Sequence, residues 1–379
     1  MAFGAPAMTL PTVPQGIGSG RTAVRVTIVG GGISGLATAS LLAKALGRAG
    51  SVTVLEARPQ PGGIITGATL AGMKLDPATD AIAASPDHLA ALFLSHGITL
   101  PIVRPEGLPQ ALVTRGDHLC LGDDIAHSVE VVGILGGMWQ LPRLLARRLP
   151  IRNGVQVQRI ERAGALWLAR TADGAEFLSE AVVVAVPPGA LLRLLGSGLV
   201  NATLERFAPR QAVLLAYDQR SVPLRRSTGF LRPPELADRT PVTGCTWLDV
   251  KWPASVPRGT RAVARVVLDH SVPGVTDARL RREAHDTIRT LWGVRTDPED
   301  VHISRWPEAL PPRRTAANSN VSHPETPPGL EFVGSARGCA GITTCLVDAE
   351  RAARSALSHL GMHDSLGNSE ATSKEEAYA

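Results

Sequence analysis

The feature that most constrains this chain is a buried-strand run that passes directly into a glycine turn and then a helix. Val24 to Val29 reads VRVTIV, Gly30, Gly31 and Gly32 follow, and from Ile33 to Leu46 apolar residues recur at helical spacing through Leu36, Ala39, Leu42, Ala43 and Leu46. A continuous β-branched run is what a strand covered on both faces of a parallel sheet requires. Gly47 and Gly50 break the helical pattern, and Ser51 to Leu55 (SVTVL) gives a second strand ending at Glu56. Residues 24–56 therefore read as one βαβ unit. Gly30, Gly32 and Gly35 fit GxGxxG at the handover. Glycines there allow the tight turn, let the backbone approach a pyrophosphate and let the helix pack closely, while the helix N-terminus faces the phosphate charge. With Ile33 and Ser34 they form the expected phosphate turn, and Glu56 stands where a carboxylate accepts hydrogen bonds from a ribose diol. Such a glutamate serves NAD and FAD alike, so the unit alone leaves a nicotinamide dehydrogenase and a flavoprotein open.

Later segments return to the same theme. Val155 to Ile160 alternates and Ala181 to Val186 is fully apolar, closed by Pro187 and Pro188; both are expected to rejoin the first sheet. Between about 210 and 270 the runs QAVLLAYD, CTWLDVKW and RAVARVVLDH predict an antiparallel sheet. A helix over Asp277 to Leu291, a strand over Glu331 to Val333, Gly334 and a helix from about Leu346 to Leu360 follow. The expected fold class is α/β, an α+β two-domain arrangement in which a Rossmann-like cofactor domain (23–88, 134–200 and 300–360) is interwoven with an antiparallel-sheet substrate domain (89–133 and 201–299). Residues 1–22, rich in Gly, Pro and Ala, read as a flexible leader without a signal-peptide pattern, and the polar residues 361–379 as a disordered tail.

Composition narrows the function classes. With 379 residues, 44% of them hydrophobic, the chain is long enough for a full core. Its formal net charge of +5 is carried by dispersed arginines set beside acids, as in Arg279 to Glu283, the lysines being Lys44, Lys74, Lys251 and Lys374. No basic stripe with interleaved aromatics appears, which excludes nucleic acid as a partner and leaves an anionic small molecule compatible. Cys120, Cys245, Cys339 and Cys345 lack disulfide-framework or metal-ligand spacing, so no metal is expected and a reducing cytoplasm fits. The apolar stretch from Val24 to Leu46 is interrupted by four glycines, so no integral membrane segment is expected.

Further motifs carry a resemblance. After Glu56 comes ARPQPGGIITGATLAGMKLDPATDA, which resembles the EAxxRxGG signature of the flavin amine oxidase and protoporphyrinogen oxidase superfamily. Its arginine falls at Gln60, with Arg58 two places earlier, and its LGAD-like stretch at Pro77, Ala78, Thr79 and Asp80. GLEFVGSARGCAGITTCLVDAERAARSAL, from Gly329 to Leu357, is similar to the closing FAD motif, with Asp348 and Ala349 where Ser-Gly is common. Within the superfamily the chain resembles the bacterial protoporphyrinogen and coproporphyrinogen oxidase branch, through GCTWLDVKWP (Gly244 to Pro253), RWPEALP (Arg305 to Pro311), Gly136, Gly137, Met138 and Leu141 of a GGMxxL turn, and AVPP at Ala185 to Pro188. The resemblance spans about 24 to 360. It implies non-covalent FAD, with Ala57, Arg58, Gly62, Gly63, Ile64, Val157, Trp306, Gly334 and Ser335 added to the cofactor set. Backbone N–H groups around Gly341, Ile342 and Thr343 would face the isoalloxazine. The family's long helical cap is expected to be reduced, between Asp80 and Gly136, to one helix at Leu89 to Leu94 and a hairpin at Leu108 to Leu121.

The resemblance also implies the chemistry: hydride leaves a substrate C–H for flavin N5, and molecular oxygen is the expected acceptor. The lysine that amine oxidases place beside the flavin has no counterpart between Gln211 and Tyr217, which argues against a typical amine oxidase. Lys251 either reaches an anionic substrate group or is a solvated turn lysine. Asp80 either bonds near the flavin or caps the next helix. His270, His285 and His302 read as surface groups. The readings carried forward are a small-substrate flavin oxidase of specialised biosynthesis, a proto- or coproporphyrinogen oxidase of haem biosynthesis, and a non-catalytic flavoprotein acting by partner binding. A homodimer, in which a second chain completes the small cap, stays open.

Overall fold

The computed structural model describes residues 23–362, apart from 115, 117, 122–129, 196–206, 234–235, 237–239, 257–258, 260, 271–273 and 311–325. The expected leader and most of the expected tail lie outside the described residues. The chain opens as β1 (Val24–Val29), α1 (Ile33–Leu46), β2 (Gly50–Glu56), β3 (Ala68–Leu70), β4 (Met73–Leu75) and β5 (Ile82–Ala83). Next come α2 (Pro86–Ser95), β6 (Ile102–Val103), β7 (Ala111–Val113), β8 (Leu119–Leu121), β9 (Val131–Ile134), α3 (Gln140–Ala146), β10 (Ile151–Asn153), β11 (Val157–Ala163), β12 (Leu166–Thr171), β13 (Glu176–Ser179), β14 (Ala181–Val184) and α4 (Pro188–Leu195). The remainder is β15 (Ala208–Asp218), β16 (Gly229–Leu231), β17 (Val242–Trp247), α5 (Leu248–Lys251), β18 (Arg261–Leu268), α6 (Asp277–Trp292), β19 (Asp300–Leu310), β20 (Leu330–Phe332) and α7 (Ile342–His359).

The first sheet is parallel, in the order β10-β2-β1-β14-β20. Its strands are apolar without alternation because both faces are covered. Val26, Ile28, Ala181 and Val183 pack into the core beneath α1 and α7, while Val29, Val182 and Val184 pack on the other side with Trp167 and Phe332.

Residues 155–160 do not rejoin that sheet as expected. The short β10 takes the place beside β2, and β11 turns into a separate antiparallel sheet, β11-β12-β13. The reason is in its alternation: β11 leaves Gln158, Arg159 and Glu161 at or near solvent, which suits a half-exposed antiparallel sheet and not a strand buried on both faces.

The larger sheet has seven strands, β19-β15-β18-β17-β16-β7-β8, antiparallel apart from the parallel β16–β7 pair. The 111–121 segment is a hairpin on its edge, as expected. Two expectations are corrected. CTWLDVKW is not one strand, because β17 ends at Trp247 and residues 248–251 form the helical turn α5. Residues 300–310 belong to this sheet and not to the cofactor sheet, because β15 is central, buried from Gln211 to Tyr217, and needs a ladder partner on both sides. One face of the sheet is covered by α6, whose Leu280, Ala284, Ile288 and Trp292 recur every fourth residue. The opposite face turns Leu214, Ala216 and Val263 toward Leu70, Leu75 and Trp252.

Candidate cofactor site and the charged cluster beside it

Four neighbouring parallel strands end side by side, and each carries into the same region the residue that follows its carboxyl end. Ligands of open α/β sheets bind outside those ends. Gly30 N donates to Leu55 O at 2.9 Å as β1 ends, and a Cβ on Gly30, whose φ is +105°, would stand 2.5 Å from Ala185 O beyond β14. A Cβ on Gly35 would overlap Gly30 O outright, so α1 packs on its own turn only because that position is glycine. Gly32 differs: its Cβ would meet nothing nearer than Gly63 Cα at 3.9 Å, so open space lies in front of the helix N-terminus.

Glu56 is buried, 7% exposed, at the end of β2. Its Oε2 accepts from Gly31 N at 2.6 Å and its Oε1 from Arg58 N at 2.8 Å, fixing the carboxylate beside the turn. Arg58 Nη1 donates to Gly63 O at 2.8 Å and Gly62 N to Gly31 O at 2.8 Å, which fasten the second glycine pair onto the first. Ala57 is exposed and Ile64 is 39% exposed, so both lie at the rim.

From the other end of the chain, β20 delivers Gly334 at φ +65°, so close that a Cβ would overlap Ser34 Oγ. Ser335 Oγ donates to Val186 O at 3.3 Å. Gly341 begins α7 without a side-chain cap, and its Cβ would meet only Thr344 Oγ1 at 3.9 Å. Ile342 is in the core and Thr343 half-buried. Two open glycine positions at helix N-termini, with a fixed carboxylate between flanking turns, fit a dinucleotide whose phosphates take the N–H groups. Val157 packs with Val29 and Leu55 under the turn, whereas Trp306, 7% exposed, lies on β19 of the other sheet, opposite Arg210.

Against the seven-stranded sheet lies a buried charged cluster. Asp80 Oδ2 accepts from Lys251 Nζ at 2.9 Å and from Trp252 Nε1 at 2.7 Å, and Oδ1 pairs with Arg265. Burial alone would raise the Asp80 carboxyl, but Arg265 and Lys251 prevail and hold it well below the usual carboxylate range. Lys251 is therefore no solvated turn lysine, its side chain being 14% exposed, and Asp80 caps nothing; Ser85 Oγ caps α2 by accepting from His88 N at 3.3 Å. Nearby, Asp76 accepts from Met138 N at 2.7 Å and Trp139 N at 2.9 Å, and burial pushes its carboxyl up to about 6.

The three histidines are not surface groups either. His270 is 8% exposed and its Nε2 bonds Glu283 at 2.6 Å; His285 Nδ1 bonds Tyr217 Oη at 2.9 Å; His302 is half-buried, its Nε2 3.0 Å from Ser304 Oγ. Among the described residues, no group of three His, Cys, Asp or Glu is placed to hold a metal ion. Sequence reasoning missed Arg265 and Asp76. Arg265 carried a signal, a charge midway through the apolar run RAVARVVL; Asp76 carried none.

Residues 110–357 match the family model described as flavin containing amine oxidoreductase. The chain belongs to this flavin-containing amine oxidoreductase family. Residues 28–94 match an NAD(P)-binding Rossmann-like domain as well, which covers the first turn and the Gly62–Gly63 segment. Family membership implies a flavin cofactor. A coproporphyrinogen III oxidase of Bacillus subtilis is 22% identical over 223 residues, 55% of this chain and 47% of that protein. One of Mycobacterium bovis is 28% identical over 242 residues, 61% of this chain and 52% of that protein. The chain thus spans about half the length of these curated relatives. Among solved structures, a protein of Exiguobacterium sp. 255-15 assigned as a protoporphyrinogen oxidase superposes with a TM-score of 0.73 at 19% identity, covering 90% of this chain and 100% of that one. Cyclohexylamine oxidase of Brevibacterium oxydans does so with a TM-score of 0.68 at 15% identity, covering 89% and 100%. These two likenesses speak to the fold. No helix among the described residues is long and apolar enough to cross a membrane.

Proposed function

We propose that the chain binds FAD non-covalently across the turns at Gly30 to Gly35 and Gly334 to Gly341, and removes hydride from a small organic substrate, with molecular oxygen taking the electrons. The observation that carries this reading is the meeting of those two glycine turns at Ser34 and Gly334, from opposite ends of the chain. Bound there, FAD supplies the hydride acceptor. The protein's residues bind and orient: Glu56 offers its remaining lone pairs to a ribose diol, the turn around Gly32 and Ser34 faces the pyrophosphate, and the N–H groups at Gly341 to Thr343 face the flavin where negative charge develops. Attachment through a cysteine is disfavoured, because burial pushes the half-buried Cys339 thiol up to about 12 and raises Cys345 as well, which lowers the thiolate fraction of both.

The seven-stranded sheet forms the substrate side. Between Asp80 and Gly136 the described chain has one helix, α2, and short strands, a small cover that suits a compact substrate. Lys251 and Arg265 both pair with the one Asp80 carboxylate, which leaves the three groups one positive charge in excess for an anionic substrate group. The names of the curated relatives favour a second reading, oxidation of coproporphyrinogen or protoporphyrinogen. Purified protein refolded with excess FAD tests both. Stoichiometric yellow flavin, released by denaturation, is expected, and its absence would overturn the flavin reading. Anaerobic bleaching by either porphyrinogen would select the second reading over the first.

A further inference from the structure

We infer that Asp348 is the positioning residue of the cofactor-facing turn, its carboxylate holding residues 334–339 in place from α7. The inference rests on the FAD reading above. In the resemblance this position is commonly serine followed by glycine, whereas here it is Asp348-Ala349. Asp348 is 8% exposed. Its Oδ2 accepts from Gly334 N at 2.7 Å, and its Oδ1 accepts from Arg351 Nε at 2.7 Å. Arg337 Nε lies 3.2 Å from Oδ1, an ion pair whose alignment falls short of a hydrogen bond. The Cys339 thiol also bonds this carboxylate. One side chain thus grips the turn at its first, fourth and sixth residues.

The need for such a group is physical. Among the described residues β20 is an edge strand, paired with β14 alone, so Gly334 N is a buried donor with no ladder partner there. A serine hydroxyl is short and neutral. A carboxylate satisfies Gly334 and at the same time balances Arg337, which is only 18% exposed and would otherwise be a poorly solvated cation. Arg351 extends the network to the strand itself, donating through Nη2 to Phe332 O at 2.6 Å and pairing through Nη1 with Glu331 at 3.2 Å. Because Gly334 lies directly against Ser34, a turn that slackens here shifts the surface that the phosphate turn packs on. Asp348 therefore fixes both glycine turns before the cofactor arrives, the preorganisation that lowers the cost of binding.

The test uses the full chain with Asp348→Asn, Asp348→Ser, Arg337→Gln and the double variant Arg337→Gln/Asp348→Asn. FAD affinity is read by flavin fluorescence, and tryptic cleavage after Arg337 in the flavin-free protein by mass spectrometry. Both position-348 variants are expected to weaken FAD by about 10-fold or more, with cleavage after Arg337 accelerated by a similar factor. Arg337→Gln should weaken FAD less, and the double variant should bind no worse than Asp348→Asn, because the two residues act through one contact. An affinity within twofold of wild type together with unchanged cleavage would overturn the inference, as would additive losses in the double variant. If the position-348 variants do not fold, an Arg337→Gln protein with unaltered affinity and cleavage at the neighbouring arginines overturns it. Wild-type protein that takes up no FAD would sink the flavin reading alone, and the cleavage rates would still decide whether Asp348 holds the turn.

Discussion

Lys251 Nζ lies 2.9 Å from Asp80 Oδ2, and this contact ties the segment that follows the second glycine pair to the helical turn ending β17. The stretch between β4 and β5 and the seven-stranded sheet are joined through a buried charge that Arg265 and Trp252 also hold. Removing the carboxylate by Asp80→Ala strands two cations, one of them Arg265 with Nε and Nη1 already lacking partners. The expected loss of stability is about 3–5 kcal/mol, the range for breaking a buried pair. Lys251→Met leaves Asp80 with Arg265 and Trp252 and should cost less than half as much. Urea denaturation measures both, and an Asp80→Ala loss below about 1 kcal/mol would refute the account. Because the Asp80 carboxyl is held low, its contribution is complete above the ordinary carboxylate range and disappears only in strong acid.

Asp76 has the opposite dependence. Burial, reinforced by the Asp80 charge and opposed by Arg265 and by the Met138 and Trp139 N–H groups, pushes its carboxyl up to about 6 from 3.8. The folded state therefore holds the proton more tightly than the unfolded chain. Its stabilising contribution is full below about pH 4 and is lost as pH rises through about 6, worth on the order of 2–3 kcal/mol. Asp76→Asn carries no such proton. The stability difference between variant and wild type, followed from pH 4 to pH 8, should move in the variant's favour by that amount; a difference independent of pH would show that Asp76 is ionised throughout.

What the sequence disclosed and what it concealed divide along physical lines. β1, α1 and the Gly30 turn were legible residue by residue, because a strand buried on both faces and a glycine that only a Cβ-free backbone can satisfy both leave local traces. The placing of 300–310 was not legible, since an alternating strand fits any antiparallel edge and β15's need for a second partner is a tertiary fact. Of the alternatives left open for Lys251 and Asp80, the solvated turn and the helix cap fail for the same reason: a lysine near a Trp-Pro pair looks like a solvated turn until the strand carrying Arg265 closes over it. His285 and His270 were misread because Tyr217 and Glu283, which occupy them, are brought near by sheet register and helix packing, which spacing does not encode; Ser304, two residues along the same strand, was within reach of His302 from spacing alone.

The cysteines give a prediction independent of cofactor. Cys120 is exposed on β8, whereas Cys245 and Cys345 are buried and Cys339 is raised by burial and by the Asp348 charge. In native protein at neutral pH a thiol reagent should therefore modify one cysteine quickly, and Cys120→Ser should abolish that fast phase while leaving the slow phases unchanged. A fast phase surviving in Cys120→Ser would place a reactive thiolate at the cofactor turn and revive covalent attachment.

Gly32 and Gly35 separate the cofactor's demands from those of the fold. A Cβ on Gly35 collides with Gly30 O, an atom of the backbone, so Gly35→Ala must displace α1 from β1 and lower the stability of the flavin-free protein by about 1–3 kcal/mol. A Cβ on Gly32 meets no atom nearer than 3.9 Å, and its φ of −73° suits any residue, so Gly32→Ala should leave the flavin-free protein as stable as wild type or slightly more so. The same methyl group stands in the space through which the backbone approaches a pyrophosphate. Gly32→Ala is therefore expected to weaken FAD by about 10-fold or more, about 1.4 kcal/mol, with no loss of melting temperature in the flavin-free protein. Thermal denaturation and flavin titration on the same preparations distinguish the two effects. Unaltered FAD affinity in Gly32→Ala would mean that the phosphates lie elsewhere, whatever the strand-turn-helix suggests.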